Sequence, residues 1–145
     1  MRIEFRKNSQ GIHPADVPVK VLNNGQRMPA IGIGTFGSDL YSADQVADAV
    51  IYAAEFGQRS FDCASVYSNE SEIGKAFQVI LEGGVPREEL FITSKVWNDR
   101  HGEGEVIASC KQTLADLGLD YLDLYLVHWP FPNFHPPRCS VESRR

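Results

Sequence analysis

Cysteine is scarce in this sequence. Cys63, Cys110 and Cys139 are the only three, odd in number and without C-x-x-C spacing, which excludes a disulfide framework and a cysteine-ligated zinc site and reads as reduced thiols. No apolar run approaches the roughly 18 residues of a membrane helix, and the opening MRIEFRKNSQ is polar where a secretory leader would be apolar. The reading is a cytoplasmic protein. Basic residues are in deficit: 14 Lys and Arg stand against 19 Asp and Glu, a net charge of −5, with no basic stripe in the middle of the chain. Nucleic acid and an anionic membrane surface are therefore not expected as partners. At 43% apolar and 23% charged residues the composition is neither disordered nor fibrous, and 145 residues suit one domain.

What is present is a regular middle. Residues 1–17 keep no period and read as a flexible N-terminal extension. Val19-Lys20-Val21-Leu22 and Arg27-Met28-Pro29-Ala30 flank Asn23-Asn24-Gly25, and an Asn-Gly step supplies the positive φ that a hairpin turn requires. From Ile31 onward short apolar strands alternate with helices, the βα rhythm. Residues 31–36 read as a first strand. Ser42 with Gln45 forms a capping box, Val46, Ala49, Val50, Ala53 and Ala54 share one helical face, and Gly57 ends the helix. Residues 60–64 form a second strand, followed by a helix capped near Asn69 and Glu72 that carries Ile73, Ala76, Phe77, Ile80 and Leu81 and stops at Gly83-Gly84. A third strand over 90–96, a helix with Val106, Cys110, Leu114 and Leu117 ending at Gly118, and a fourth strand over 121–128 complete the series.

Asp62, Lys95 and His128 each stand at the downstream end of a predicted strand, separated by 33 residues both times. That interval is one βα unit, so parallel strands gather three ionisable side chains at one edge of the sheet, the edge where barrel enzymes keep their catalytic groups. Gly32-x-Gly34-x-x-Gly37 also matches a dinucleotide fingerprint, with Glu55 near the acidic position. It carries little weight, because Ser38-Asp39-Leu40-Tyr41 separate the third glycine from the helix start at Ser42.

These residues lie in longer motifs: Leu22-Asn23-Asn24-Gly25 with Met28-Pro29, Gly32-Ile33-Gly34-Thr35-Phe36, Arg59 through Glu70 (RSFDCASVYSNE), Ile92-Thr93-Ser94-Lys95-Val96-Trp97, and Leu122 through Pro130 (LDLYLVHWP). Over residues 18–134 the chain resembles the aldo-keto reductases, (β/α)₈ barrels that reduce aldehydes and ketones with NADPH. The resemblance implies an α/β fold of that TIM-barrel family, and a catalytic tetrad at Asp62, Tyr67, Lys95 and His128. It also implies a nicotinamide end lined by Gly34, Thr35, Phe36 and Asp62, and a substrate wall of Phe36, Trp97, His128 and Trp129, with a small carbonyl compound as the partner and no metal.

The chemistry needs these residue types. Hydride transfer to a carbonyl leaves an alkoxide that must be protonated as it forms, which calls for a general acid. Tyr67 fits that role, Lys95 beside the phenol would stabilise the phenolate, and Asp62 would hold the ammonium and offset its burial. His128 would hydrogen-bond the substrate oxygen and orient it. Alone, each has an ordinary explanation: a turn aspartate, a packing tyrosine, a solvated lysine, a satisfied core histidine. Joint occurrence at unit spacing favours the site. Trp97 and Trp129 line the substrate or simply plug the barrel mouth.

A complete barrel takes about 250 residues, whereas this sequence supplies a hairpin, three βα units and a fourth strand. Residues 130–145, with Pro130, Pro132, Pro136 and Pro137, read as a loop running into an irregular tail at 135–145. The expectation is the N-terminal half of a barrel, with self-association through its open edges. The alternatives to a carbonyl reductase are a truncated, inactive fragment and a non-catalytic interaction module; a binding module has no need of Tyr67 and Lys95 together.

Overall fold

A computed structural model describes residues 5–8, 10–37 and 40–131. The tail expected at 135–145, Cys139 and residues 132–134 lie outside the described residues. The hairpin forms where Asn23-Asn24-Gly25 placed it: β1 (Val19–Val21) pairs antiparallel with β2 (Arg27–Pro29), and Gly25 takes φ +83°. Then follow β3 (Ile33–Gly34), α1 (Ala43–Glu55), β4 (Ser60–Asp62), α2 (Glu70–Glu82), β5 (Phe91–Val96), α3 (Glu105–Leu117) and β6 (Leu124–Val127). The four later strands lie parallel in sequence order, β3-β4-β5-β6, each joined to the next through a helix.

The strands are shorter than the apolar runs suggested, yet the ladder continues past them. Thr35 N–H donates to the Asp62 carbonyl, Cys63 N–H to Thr93 and His128 N–H to Val96, at 2.8–3.1 Å. Register decides the faces. Gly34 stands opposite Asp62, Asp62 opposite Thr93, and Lys95 opposite Leu126. With a side-chain period of two, Gly34, Asp62, Lys95 and His128 fall on one face, and Phe61, Cys63, Ile92 and Ser94 on the face that meets the helices.

That second face holds the core, where Phe61, Ile73, Phe77, Ile80, Ile92 and Leu117 are wholly buried. The capping box on α1 is complete: Ser42 Oγ accepts from Gln45 N–H at 3.2 Å and Gln45 Oε1 accepts from Ser42 N–H at 2.9 Å. The buried stripe of α1 is Ala47, Val50, Ile51 and Ala54, while Ala49, expected on it, is exposed. The helical period holds but its phase turns, because α1 packs chiefly on α2 rather than squarely on the sheet. Helix α2 in turn approaches α3 so closely that a Cβ on Gly74 would collide with the Asp116 carbonyl.

The segment expected as a loose extension is hydrogen-bonded along the end of α1. Asn8 N–H donates to the Glu55 carbonyl and Ile12 N–H to that of Phe56, both at 2.9 Å, and Phe5 packs against the core. Gly57, at φ +99°, serves two purposes: it turns the chain out of α1, and any Cβ there would strike the Ile12 carbonyl oxygen. At the opposite end of the sheet from the site, Asp123 accepts from Arg87 and from Ile92 N–H at 2.8 Å each, and the Arg87 guanidinium lies 3.9 Å over the Tyr121 ring. This pins the start of β6 to β5 and so fixes how far His128 projects at the far end.

Candidate active site

Lys95 is the hub. It leaves the end of β5 with its side chain 12% exposed, and Nζ lies 2.8 Å from Asp62 Oδ1, 2.8 Å from the Cys63 carbonyl oxygen and 3.5 Å from Tyr67 Oη. The carboxylate offsets the cost of removing an ammonium from water. Tyr67 ends a 3₁₀ turn over Ser65–Tyr67 that closes at Ser68 with φ +55°, the left-handed region. Its ring lies edge to face with that of His128, centroids 5.6 Å apart at 87°, and 5.1 Å from Phe36. Thus the structure brings Asp62, Lys95 and His128, the three residues spaced one βα unit apart, to one place, and sets Tyr67, which the family resemblance added, beside them.

His128 sits beyond β6, its ring also edge to face with Trp97 at 5.1 Å, and Trp97 contacts Trp129 at 6.2 Å. Burial holds the imidazole below its usual range, the Lys95 cation adds to this, and Asp62 partly opposes it. A neutral ring follows at neutral pH, with one N–H to donate. Its Nδ1 is buried without a hydrogen-bond partner among the described residues. Phe36 and Trp129 are exposed, at 66% and 56%, so with Trp97 they form an aromatic rim open on one side. A recess of about 130 Å³ adjoins the site between Phe36, Tyr41, Tyr67 and Asn69.

Thr35 departs from expectation. It is wholly buried, its hydroxyl and amide both directed at the Asp62 carbonyl at 3.3 and 3.1 Å, and its own carbonyl accepts from Asn69 Nδ2 at 2.8 Å. The structure turns its side chain into the protein, where it steadies the strand end rather than lining the open face. Gly34 does stand on that face, with nothing within 4 Å of where a Cβ would be, leaving room for a flat ring against bare backbone. Asn69 does stand at the N-cap of α2, but its side chain makes no capping hydrogen bond; its amide donates to the Thr35 carbonyl instead. Cys63 is walled in on the helix side, and burial pushes its thiol up to about 12. Alkylation of the native protein should therefore spare Cys63 and label it only after unfolding, as peptide mass spectrometry would read; labelling of native Cys63 would contradict its placement.

Sequence reasoning missed Glu70. It is the first residue of α2, 5% exposed, and accepts from Ser94 Oγ at 2.6 Å and Thr113 Oγ1 at 2.9 Å. The signal was present, since an acid in the first turn of a helix is favoured by the dipole, but nothing local says that it is buried. Burial raises its pKa against the lowering effect of the two hydroxyls. Between the ordinary carboxylate range and that raised value, the folded chain holds more protons than the unfolded, so stability falls as pH rises through the window. Glu70→Gln, which keeps a partner for each hydroxyl by donating from its amide to one of them and removes the charge, should raise the thermal midpoint at neutral pH. The gain should vanish near about pH 4, and an equal gain at both pH values would show that the buried charge is not its source.

The model of the aldo/keto reductase family matches residues 30–142. The chain belongs to the aldo/keto reductase family. Aldo-keto reductase family 1 member A1 of Rattus norvegicus is 52% identical over 113 residues, 77% of this chain and 34% of that protein; the Homo sapiens protein of the same name is 51% identical over the same share. An aldo-keto reductase of Bombyx mori, solved in complex with NADP, superposes with a TM-score of 0.73 at 41% identity, covering 79% of this chain and 38% of that one. An aldo/keto reductase of Brucella melitensis gives 0.72 at 38% identity, covering 81% and 43%. The sheet and its helices are thus a portion of a (β/α)₈ barrel, and the chain spans about a third of the length of the curated relatives it matches.

Proposed function

We propose that the protein reduces aldehydes or ketones to alcohols at the expense of NADPH, with Tyr67 as the proton donor. The observation that carries this reading is the contact of Lys95 Nζ with Asp62 at 2.8 Å and Tyr67 Oη at 3.5 Å, in a chain of this family. Bare backbone at Gly34 and the exposed ring of Phe36 suit the nicotinamide end of the cofactor, and NADP is bound by the Bombyx mori relative. When bound, the cofactor supplies a hydride to the carbonyl carbon.

The residues of this chain do the rest. The neutral His128 donates a hydrogen bond to the substrate oxygen and holds it against the Tyr67 hydroxyl. As negative charge develops on that oxygen, Tyr67 gives it the phenolic proton and is left as a phenolate. The Lys95 ammonium stabilises that phenolate, and Asp62 with the Cys63 carbonyl keeps the ammonium in place. Phe36, Trp97 and Trp129 shield the reacting carbon from water and favour apolar or aromatic carbonyl substrates. In the catalytically complete protein, an aldehyde should drive oxidation of NADPH with one alcohol formed per cofactor, and Lys95→Met should suppress both. Cofactor oxidation without alcohol, or undiminished turnover in Lys95→Met, would refute the reading.

A further inference from the structure

The proposed chemistry uses the open face of the sheet and leaves the buried Glu70 on the helix side without a part. Its connections give it one. Glu70 follows Tyr67 by three residues, and Ser94, which donates to its Oε1 at 2.6 Å, immediately precedes Lys95 on β5. Alternation along the strand points Ser94 to the helices and Lys95 to the site. One carboxylate therefore ties the segment that carries Tyr67 to the strand that carries Lys95. Two further bonds brace the same turn: Ser65 Oγ donates to the Lys95 carbonyl at 3.1 Å, and Asn69 Nδ2 to the Thr35 carbonyl at 2.8 Å.

We infer that Glu70 is a positioning residue that sets the separation of Tyr67 and Lys95 by anchoring the first turn of α2 to Ser94. A carboxylate is suited to this, because it offers an acceptor to each of two hydroxyls that approach from different elements, Ser94 on β5 and Thr113 on α3. Both oxygens are occupied, and the short bond from Ser94 is charge-assisted. The N-terminus of a 13-residue helix offsets part of the cost of the buried anion. The two arms have different duties. Thr113 staples α2 to α3, whereas only the Ser94 arm bears on the strand of Lys95. Precision matters there because 3.5 Å is already the outer limit of a hydrogen bond, so a retreat of a few tenths of an ångström uncouples the pair.

The inference rests on the reading of Tyr67 as proton donor, so its test reads distance and not turnover. Solid-state NMR of the protein labelled at lysine Nζ and tyrosine Cζ reports a dipolar coupling that falls as the cube of their separation, whatever the assembly state. The part of that coupling lost in Tyr67→Phe belongs to the Tyr67–Lys95 pair. Ser94→Ala should weaken it by roughly a third, the consequence of a retreat of about half an ångström, and Glu70→Ala should do the same. Thr113→Val should lower the melting temperature and leave the coupling unchanged, and Glu70→Gln, which retains an acceptor for Ser94, should preserve it. An unchanged coupling in Ser94→Ala and Glu70→Ala overturns the inference, as does an equal loss in Thr113→Val or a loss in Glu70→Gln. The proposed function survives any of those results, since it is tested by alcohol formation and by the turnover of Lys95→Met, and the proton-donor role by the turnover of Tyr67→Phe.

Discussion

Tyr67→Phe should lower carbonyl turnover in the catalytically complete protein by about 10²–10⁴-fold, the usual worth of a positioned general acid. The change removes one oxygen, the atom 3.5 Å from Lys95 Nζ. It leaves a ring that still packs against Phe36 and His128, so the aromatic rim should survive. NADPH affinity should hardly move, because the phenol contacts no phosphate in the proposed arrangement, and the loss should fall on kcat and kcat/KM alike. Single-turnover kinetics with a fluorescence titration of the cofactor would measure both quantities. Near-normal kcat in the Phe variant would transfer the proton-donor role elsewhere, with His128 the next candidate. That alternative starts at a disadvantage, because burial and the Lys95 cation together keep the imidazole neutral, and a neutral ring is a poorer acid than an imidazolium.

The open face of the site was legible because it depends on two short-range rules. The 33-residue spacing of Asp62, Lys95 and His128 needs only that strands be parallel and that side chains alternate along them. Ser42 with Gln45, Gly57 and Gly118 mark helix ends by local conformation alone, and all three lie where those signals put them. The helix side was legible only in part: Ile73, Ala76, Phe77 and Ile80 of α2 are buried as their period implies, but the rest depends on which elements meet. Ala49 carries the same periodic signal as Val50, and only the packing of α1 on α2 decides that one is exposed and the other buried. Asn69 stands at the N-cap of α2 as its residue type suggests, but its side chain is drawn away from the helix, its amide donating at 2.8 Å to the carbonyl of Thr35, remote in sequence. Thr35 is similar: its motif places it at the site, and the Asp62 carbonyl turns its hydroxyl inward. Glu70 joins α2 to two elements, through partners 24 and 43 residues away in sequence, a relation that no periodicity encodes.

A polypeptide of residues 1–145 on its own should associate and show no measurable carbonyl reduction until the remaining strands of a barrel are supplied. Among the described residues, β3 and β6 each pair on one side only, so each presents unpaired N–H and C=O groups to any strand that approaches. Apolar side chains surround the β6 edge: Val127 is 57% exposed and Phe131 70%, and Ile31 beside β3 is 60% exposed. A closed barrel of this family meets both needs at once, by pairing every edge and filling its interior with side chains. In the 145-residue polypeptide that inner face, with Leu126 39% exposed on it, meets water instead, and pairing β6 of one copy with β6 of another is the nearest substitute. Such contacts would leave the aromatic rim of Phe36, Trp97 and Trp129 without the opposite wall that a substrate needs. Light scattering should therefore report oligomers, a hydrophobic dye should bind, and a charged residue at the edge, Val127→Lys, should reduce the association by opposing strand pairing. A compact monomer of 16.2 kDa with a cooperative thermal transition would mean that β3 and β6 are covered in solution by some other part of the chain.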